Sequence, residues 1–143
     1  MTAMLPTYRL SSSAALTAVS AAVSHAEGLG AQVNACVVDA GGNQIAFLRG
    51  DGAFLPSGKI ARDKARTSAG FKLPSGALYE ALKAEPAVLR GILAQPHVAA
   101  FPGGLPITAK GEVIGGIGVS GATADQDEAC ARAGLAAIGL PPE

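Results

Sequence analysis

The segment from Gly103 to Glu128 is rich in glycine, and these glycines constrain the fold more than any other feature of the sequence. Gly103-Gly104 precedes Pro106, and a predicted strand over Val113 to Ser120 carries glycines at positions 115, 116 and 118. Glycines inside a strand cost conformational entropy and remove packing, so they mark places where something approaches the backbone closely. Two explanations are open: a ligand that reaches the main chain, or a neighbouring helix or β-bulge that needs the space.

Composition and charge limit the class of protein. The 143 residues include 11 basic and 11 acidic side chains, and 15% of the chain is charged. This length predicts a single domain over residues 1–143, with residues 1–9 as a short N-terminal extension. The balanced charge predicts no nucleic-acid partner, because nucleic-acid-binding domains carry a basic surface. Four Phe, two Tyr and no Trp also argue against an aromatic-walled pocket, so we expect a small, polar site.

The N-terminal third predicts a helix rather than a targeting segment. Ala14 to Ala22 faintly resembles the apolar part of a secretory signal, but Ser and Thr interrupt it and the pattern favours an amphipathic helix capped at Ser11 to Ser13. We therefore expect a cytoplasmic protein with no membrane span. Cys36 and Cys130 are far apart in apolar surroundings, which predicts two small core residues.

The two histidines differ in their predicted settings. His25 lies about 180° from Leu16 around the first helix, opposite its apolar stripe, which predicts a solvated side chain. His97 follows Pro96 at the start of an extended stretch. Of the two, His97 is the better candidate to ligate a metal or haem iron.

A β-hairpin is predicted next. Val33 to Asp39 is apolar on both faces, and the turn formers Ala40-Gly41-Gly42-Asn43 lead into a strand from Gln44 to Arg49. Arg49 at the strand end has two interpretations, a contact to an anionic ligand or an ordinary surface ion pair with Asp51.

A second helix is predicted from Gly58 to about Ala69, with Ser57 as its cap. Its solvated face carries Lys59, Arg62, Asp63 and Arg66. Lys64 instead projects between Ile60 and Ser68, towards the sheet. Such a lysine either extends to the rim or points its ammonium into a pocket, where an unpaired cation would need an anionic partner.

The rest of the chain predicts two short helices, three strands and a last helix. The predicted ranges are Gly76 to Lys83, Ala87 to Leu93, Val98 to Phe101, Ile107 to Lys110, Val113 to Ser120 and Thr123 to Ile138. Asp125, Asp127 and Glu128 suit the positive end of the last helix dipole, which explains them without chemistry. Asp127 lies between the two faces of that helix and is the acid to which we most readily assign a second role.

Four motifs in this order resemble the GlcG/HbpS family, which also forms the C-terminal domain of PduO-type corrinoid adenosyltransferases. They are Val37-Val38-Asp39-Ala40-Gly41-Gly42, Lys64-Ala65-Arg66-Thr67, Gly103-Gly104-Leu105-Pro106-Ile107, and Gly115 to Gly121 continuing through Asp127-Glu128-Ala129. The resemblance extends from about Leu10 to Leu140. It implies an α/β, profilin-like or PAS-like α/β/α sandwich, with a five-stranded antiparallel sheet flanked by helices. It also implies a homo-oligomer, and haem as a cofactor of several members.

Two functions follow from these residues and the resemblance. The first is a small-ligand-binding protein for haem or another carboxylate-bearing molecule; the sequence has no Cys-x-x-Cys-His motif and little aromatic lining, so haem is implied by the resemblance alone. The second is a catabolic enzyme (isomerase, hydrolase or dehalogenase) acting on an unsaturated or hydroxylated organic acid, so whether the chain is an enzyme is left open. In that case Lys64 and Arg66 would orient carboxylates, the Gly103 and Gly104 amides would stabilise an oxyanion, and Asp127 or Glu128 would move a proton. The predicted ligand-binding residues are Arg49, Lys64, Arg66, Gly103, Gly104 and Ser120, with His97 as the metal ligand.

Overall fold

The computed structural model describes residues 1–142, in which five helices and four strands are found. In chain order they are α1 (Ser12–Gly28), β1 (Asn34–Asp39), β2 (Gln44–Arg49), α2 (Pro56–Phe71), α3 (Ser75–Leu82), α4 (Pro86–Leu93), β3 (Gly104–Ala109), β4 (Glu112–Ser120) and α5 (Ala124–Ala137). A helix long and apolar enough to span a bilayer is not among them.

The strands form one antiparallel sheet in the order β2-β1-β4-β3. In its register, Asn34 of β1 lies opposite Arg49 of β2 on one side and Ser120 of β4 on the other. The predicted class, helices with an antiparallel sheet, is confirmed. The predicted count of five strands is wrong, because residues 1–142 contribute four.

The missing strand is the one predicted at Val98 to Phe101, and side-chain hydroxyl groups explain its absence. The Ala99 N–H donates to Thr67 Oγ1 (2.9 Å), and the Phe101 carbonyl accepts from Ser75 Oγ (2.6 Å). Buried backbone groups need partners, and here two helices provide them. The segment therefore runs as an irregular connection beside α2 and α3.

Helices cover both faces of the sheet. α1 and α5 pack on one face, where their alanines and valines meet Ala35, Val37, Ile117 and Val119. α2 packs on the other face, where Ala61, Ala65 and Ala69 meet Cys36 and Val38. Strand β1 is thus buried on both sides, as its continuous apolar run predicts. The buried stripe of α1 is made of small residues, and Leu16, predicted to belong to it, is exposed.

The strand glycines allow α2 to lie close to the sheet. A Cβ atom on Gly116 would lie 2.3 Å from the Ala65 carbonyl oxygen, and one on Gly118 would lie 2.0 Å from that of Ala61. Both distances are far inside van der Waals contact, so any larger residue would push the helix away. At these positions the close approach is made by a helix, the second of the two explanations that the sequence left open.

The predicted helix starts have different outcomes. The predicted serine cap of α1 is confirmed, because Ser11 Oγ accepts the Ala14 N–H (3.1 Å). α5 begins as predicted, with Thr123 as its N-cap and a reciprocal bond from the Thr123 N–H to the Gln126 side chain. Ser57 does not cap α2, because the helix begins one residue earlier, at Pro56. Its hydroxyl accepts from Asn34 Nδ2 (2.8 Å) and donates to the Phe54 carbonyl (2.6 Å).

Candidate functional site

Apart from Glu128, the predicted site residues fall in three separate places. Lys64, Asp127 and Gly103 meet in a buried centre between α2, β4 and α5. Arg66 and His97 line a hollow beside the β1–β2 turn, which we call the histidine hollow. Arg49 lies elsewhere, at the end of β2. The sequence grouped these residues into one site, and the fold separates them.

Lys64 is the largest fully buried side chain, with 1% of its surface exposed. Its Nζ donates to the Val119 carbonyl oxygen (2.9 Å) and to Asp127 Oδ2 (3.0 Å), and it lies 4.9 Å from the centre of the Phe101 ring. The other oxygen of Asp127 accepts the Ala122 N–H (2.9 Å). The anionic partner that a buried lysine requires is therefore provided by the chain itself.

Burial disfavours both charges of this pair. It lowers the pKa of the Lys64 ammonium below its ordinary 10.5, against the attraction of Asp127. It likewise raises the pKa of Asp127 above 3.8, against the attraction of Lys64 and the hydrogen bonds to that carboxylate. A charge removed from water is costly, and the geometry of the pair offsets this cost only while both partners are present.

The glycine turn is filled by this pair and its neighbours. A Cβ atom on Gly103 would lie 2.5 Å from Lys64 Nζ, and one on Gly104 would lie 2.4 Å from the Lys64 carbonyl oxygen. The Gly104 N–H already donates to Ser75 Oγ (2.8 Å), so it is not free to stabilise an oxyanion here. Ser120, the last residue of β4, is buried next to Val119.

Glu128 does not join the buried centre. Its carboxylate lies 3.5 Å from Arg132, one turn further along α5, and forms a partly exposed ion pair. Asp127 and Glu128 are thus neighbours in sequence with opposite environments. The catalytic roles suggested for Lys64, Asp127 and Glu128 stay predictions.

The histidine hollow has a volume of about 360 Å³ and lies against the turn between β1 and β2. Its lining residues are Ala40, Gly41, Gly42, Asn43, Arg66, Gly70 and His97. The Asp39 carboxylate holds the turn by accepting the N–H groups of Gly41 and Asn43, each at 2.9 Å. Gly42 has φ +83°, a conformation that favours glycine. Arg66 Nε donates to the Gly42 carbonyl (3.2 Å), which fixes the arginine at the wall of the hollow.

His97 is held at the edge of this hollow. Its backbone has φ +66°, an uncommon conformation for a residue other than glycine, and its side chain is 55% exposed. Its Nδ1 lies 3.4 Å from Oδ1 of Asp63, a buried carboxylate whose other oxygen contacts Lys59. A carboxylate behind Nδ1 favours the tautomer that leaves Nε2 free to bind a metal.

Asp63 is the residue that the sequence analysis missed. It was assigned to the solvated face of α2, but it is buried at 5% exposure and paired with Lys59 one turn earlier. The sequence has no local signal that His97, 34 positions later, returns to the same carboxylate.

His97 and Arg66, the donors that line the histidine hollow, fit haem better than a bare metal ion. Residues 1–142 contain no cluster of three or more His, Cys, Asp or Glu side chains able to hold a bare ion. Haem needs only one ligand from the protein, because the porphyrin itself binds the iron through four nitrogens. His97 can supply that ligand, and Arg66 can pair with a propionate.

Comparison with known proteins identifies the family. Residues 10–136 match the family model described as "Haem degrading protein HbpS-like". A crystal structure of a double mutant of Streptomyces reticuli HbpS has a TM-score of 0.84 and 41% identity, covering 93% of this chain and 89% of that one. The structure described as the PduOC:haem complex has a TM-score of 0.85 and 31% identity, covering 95% of this chain and 99% of that one.

The curated relatives include a larger enzyme. The corrinoid adenosyltransferase PduO of Citrobacter freundii is 35% identical over 122 residues, which is 84% of this chain. The match spans 36% of PduO, so this chain corresponds to about a third of that relative. Because the family model and the HbpS structure both match most of its length, the chain belongs to the HbpS-like family.

Proposed function

We propose that this protein binds haem in the histidine hollow, where His97 would ligate the iron and Arg66 would pair with a propionate. The observation that carries the proposal is the position of His97 between the buried Asp63 carboxylate and the open hollow. Support also comes from the relative crystallised as a haem complex, which is similar along nearly the whole chain.

The Asp63 contact prepares the imidazole for this role. A carboxylate next to Nδ1 keeps the proton on that nitrogen and makes Nε2 a stronger donor to iron. Asp63 is itself fixed by Lys59 and by its burial in α2, so it also sets the direction of the ring. His25 has a different setting, on an exposed face of α1 beside Asp125, Glu128 and Arg132.

Arg66 supplies the charge that haem propionates need. One guanidinium nitrogen is used by the Gly42 carbonyl, and the remaining N–H groups are available to a carboxylate. When bound, haem would supply redox and oxygen chemistry, which the side chains of the hollow lack. A small organic acid without iron could also pair with Arg66, and the experiment below separates the two ligands.

The enzymatic alternative is less favoured by the geometry. Lys64 is buried and already paired, and Glu128 lies outside the buried centre. A substrate would have to displace Asp127 from the ammonium to reach it.

We also expect a cytoplasmic homo-oligomer, and light scattering coupled to size-exclusion chromatography would measure the subunit count.

Haemin titration followed by absorbance tests the proposal. The wild-type protein should give a sharp Soret band that saturates at a defined stoichiometry. His97→Ala should shift or remove that band, and Asp63→Asn should weaken binding about 10-fold to 100-fold, as loss of a carboxylate behind a metal-binding histidine does elsewhere. Arg66→Gln should reduce the affinity for haemin without changing the position of the Soret band, because Arg66 would pair with a propionate and not with the iron.

His25→Ala is the matched control, since the chain has two histidines. It should leave the Soret band and the affinity unchanged. The proposal is overturned if His97→Ala and His25→Ala have the same spectrum as wild type, or if the titration shows only non-saturating adsorption.

A further inference from the structure

A second hollow, separate from the histidine hollow, lies where β2 ends and α2 begins. We call it the Arg49 hollow; its volume is about 480 Å³. Its lining residues are Asn34, Phe47, Arg49, Ala53, Leu55, Pro56, Gly58, Lys59 and Arg62. It shares no lining residue with the histidine hollow.

The walls of the Arg49 hollow are apolar on one side. Phe47, Ala53, Leu55 and Pro56 form them, and Leu55 is 91% exposed at the mouth. Burial of a leucine side chain away from water is favourable, so a ligand with an apolar body would be stabilised against this wall. Phe47 adds an aromatic ring to this wall.

The charges around the Arg49 hollow all have one sign. Arg49, Lys59 and Arg62 line it, and no acidic residue does. Among residues 1–142, Arg49 has no carboxylate within 4 Å, whereas Lys59 is paired with Asp63. Arg62 lies over the Phe47 ring, with its Cζ atom 4.2 Å from the ring centre, and its Nε–H donates to Gln44 Oε1 (2.9 Å). Its terminal N–H groups are therefore available to a ligand. The α2 N-terminus adds a partial positive charge, so the mouth favours an anion.

One buried residue of the lining, Asn34, is polar and incompletely bonded. Asn34 is 2% exposed; its Nδ2 donates to Ser57 Oγ, but its Oδ1 has no partner within residues 1–142. A buried acceptor without a donor costs free energy, which a hydroxyl group reaching it would recover. The register places Asn34 directly opposite Arg49, so the acceptor and the cation belong to the same side of the hairpin.

We propose that the Arg49 hollow binds a carboxylic acid with an apolar body and a hydroxyl group at its far end. The carboxylate pairs with Arg49 and Arg62, the body packs on Phe47 and Leu55, and the hydroxyl donates to Asn34 Oδ1. This site stands independently of haem binding, because it uses none of the residues of the histidine hollow.

Three related probes separate the parts of the proposal by isothermal titration calorimetry: 4-hydroxyphenylacetate, phenylacetate and 4-hydroxyphenylethanol. The first should bind most tightly. Phenylacetate lacks the hydroxyl and should bind at least about threefold more weakly, because it loses the hydrogen bond to Asn34 Oδ1 and one such bond contributes about that factor to affinity. The alcohol lacks the carboxylate and should lose at least about tenfold, since hydrogen bonds to charged groups contribute more.

Variants assign those losses to residues. Arg49→Gln should weaken both acids by a similar factor and leave the alcohol unchanged. Asn34→Ala should make the two acids bind equally; if that variant does not fold, the comparison of phenylacetate with its hydroxylated form in the wild-type protein still tests the acceptor. Arg90→Gln is the control, because Arg90 is exposed on α4 and lines neither hollow, and it should change none of the three affinities.

The proposal is overturned if 4-hydroxyphenylacetate and phenylacetate bind wild-type protein equally, or if Arg49→Gln leaves both acids unchanged. Equal weakening by Arg49→Gln and Arg90→Gln would also overturn it, since this would show attraction by overall charge. None of these outcomes bears on the Soret band, so the two proposals fail separately.

Discussion

Removing one member of the buried Lys64–Asp127 pair should destabilise the protein far more than removing an exposed ion pair. In Lys64→Met, Asp127 keeps the Ala122 N–H but loses its cation, while its side chain stays only 4% exposed. Breaking a buried pair in this way costs about 3–5 kcal/mol. A domain of this size is stable by about 5–15 kcal/mol, so the loss is a large share of the total.

Urea unfolding followed by circular dichroism measures this change. With a slope of about 2 kcal/mol per molar urea, a loss of about 4 kcal/mol lowers the midpoint by about 2 M. Lys83→Met is the control, because Lys83 and Glu80 form a pair at the surface. It should leave the midpoint unchanged. All variants should be compared at one protein concentration, since assembly would add to apparent stability.

The two single variants should respond to pH in opposite directions. Asp127 has a raised pKa in the folded protein, so the native state binds a proton more readily than the unfolded chain, and Lys64→Met should regain stability as pH falls. Lys64 has a lowered pKa, so the unfolded chain binds the proton more readily, and Asp127→Asn should regain stability as pH rises towards 10.5. The double variant Lys64→Met/Asp127→Leu should recover much of the loss at pH 7.

The reasoning is refuted if each single variant loses less than about 1 kcal/mol at pH 7. It is also refuted if both variants change stability with pH in the same direction.

Two further predictions concern packing in the core. Gly118→Ala should cost about 3 kcal/mol or more in the same urea assay, because its Cβ would lie 2.0 Å from the Ala61 carbonyl oxygen. Gly91→Ala in α4, where no atom lies within 4 Å of the added Cβ, should instead gain up to about 1 kcal/mol, and equal effects of the two would contradict the close packing of α2. Burial raises the pKa of both Cys36 and Cys130 to about 11, so the native protein should react with Ellman's reagent at pH 8 much more slowly than the urea-unfolded chain. Rapid labelling of either thiol in native conditions would show that it is not buried.

Particular residues show how far the sequence could predict the site. The helical pattern of α2 placed Lys64 on the side facing the sheet, where the structure has it, because that inference needs only a 3.6-residue period. The pattern could not identify its partner, since Asp127 is 63 positions away and is brought to Lys64 by the packing of α2 and α5 against the sheet. The same limit hid the contact between Asp63 and His97.

The strand count failed for a related reason. Val98 to Phe101 has the apolar character of a strand, but a strand exists only where another strand offers its backbone groups. Here Thr67 and Ser75 satisfy the backbone instead, and both lie on helices far from the segment in sequence.

The residues alone were enough to predict the helices, the hairpin, the glycine positions that something approaches closely, and the membership of the HbpS-like family. These follow from local periodicity, turn chemistry and motifs that are complete within short stretches of chain. The folded arrangement was needed to see that Lys64 is paired with Asp127, that Asp63 lies beside His97, and that Arg49 and Arg66 belong to different hollows. The physical reason is that charge pairing and the direction of a side chain depend on atoms distant in sequence, whose proximity the packing of the elements creates.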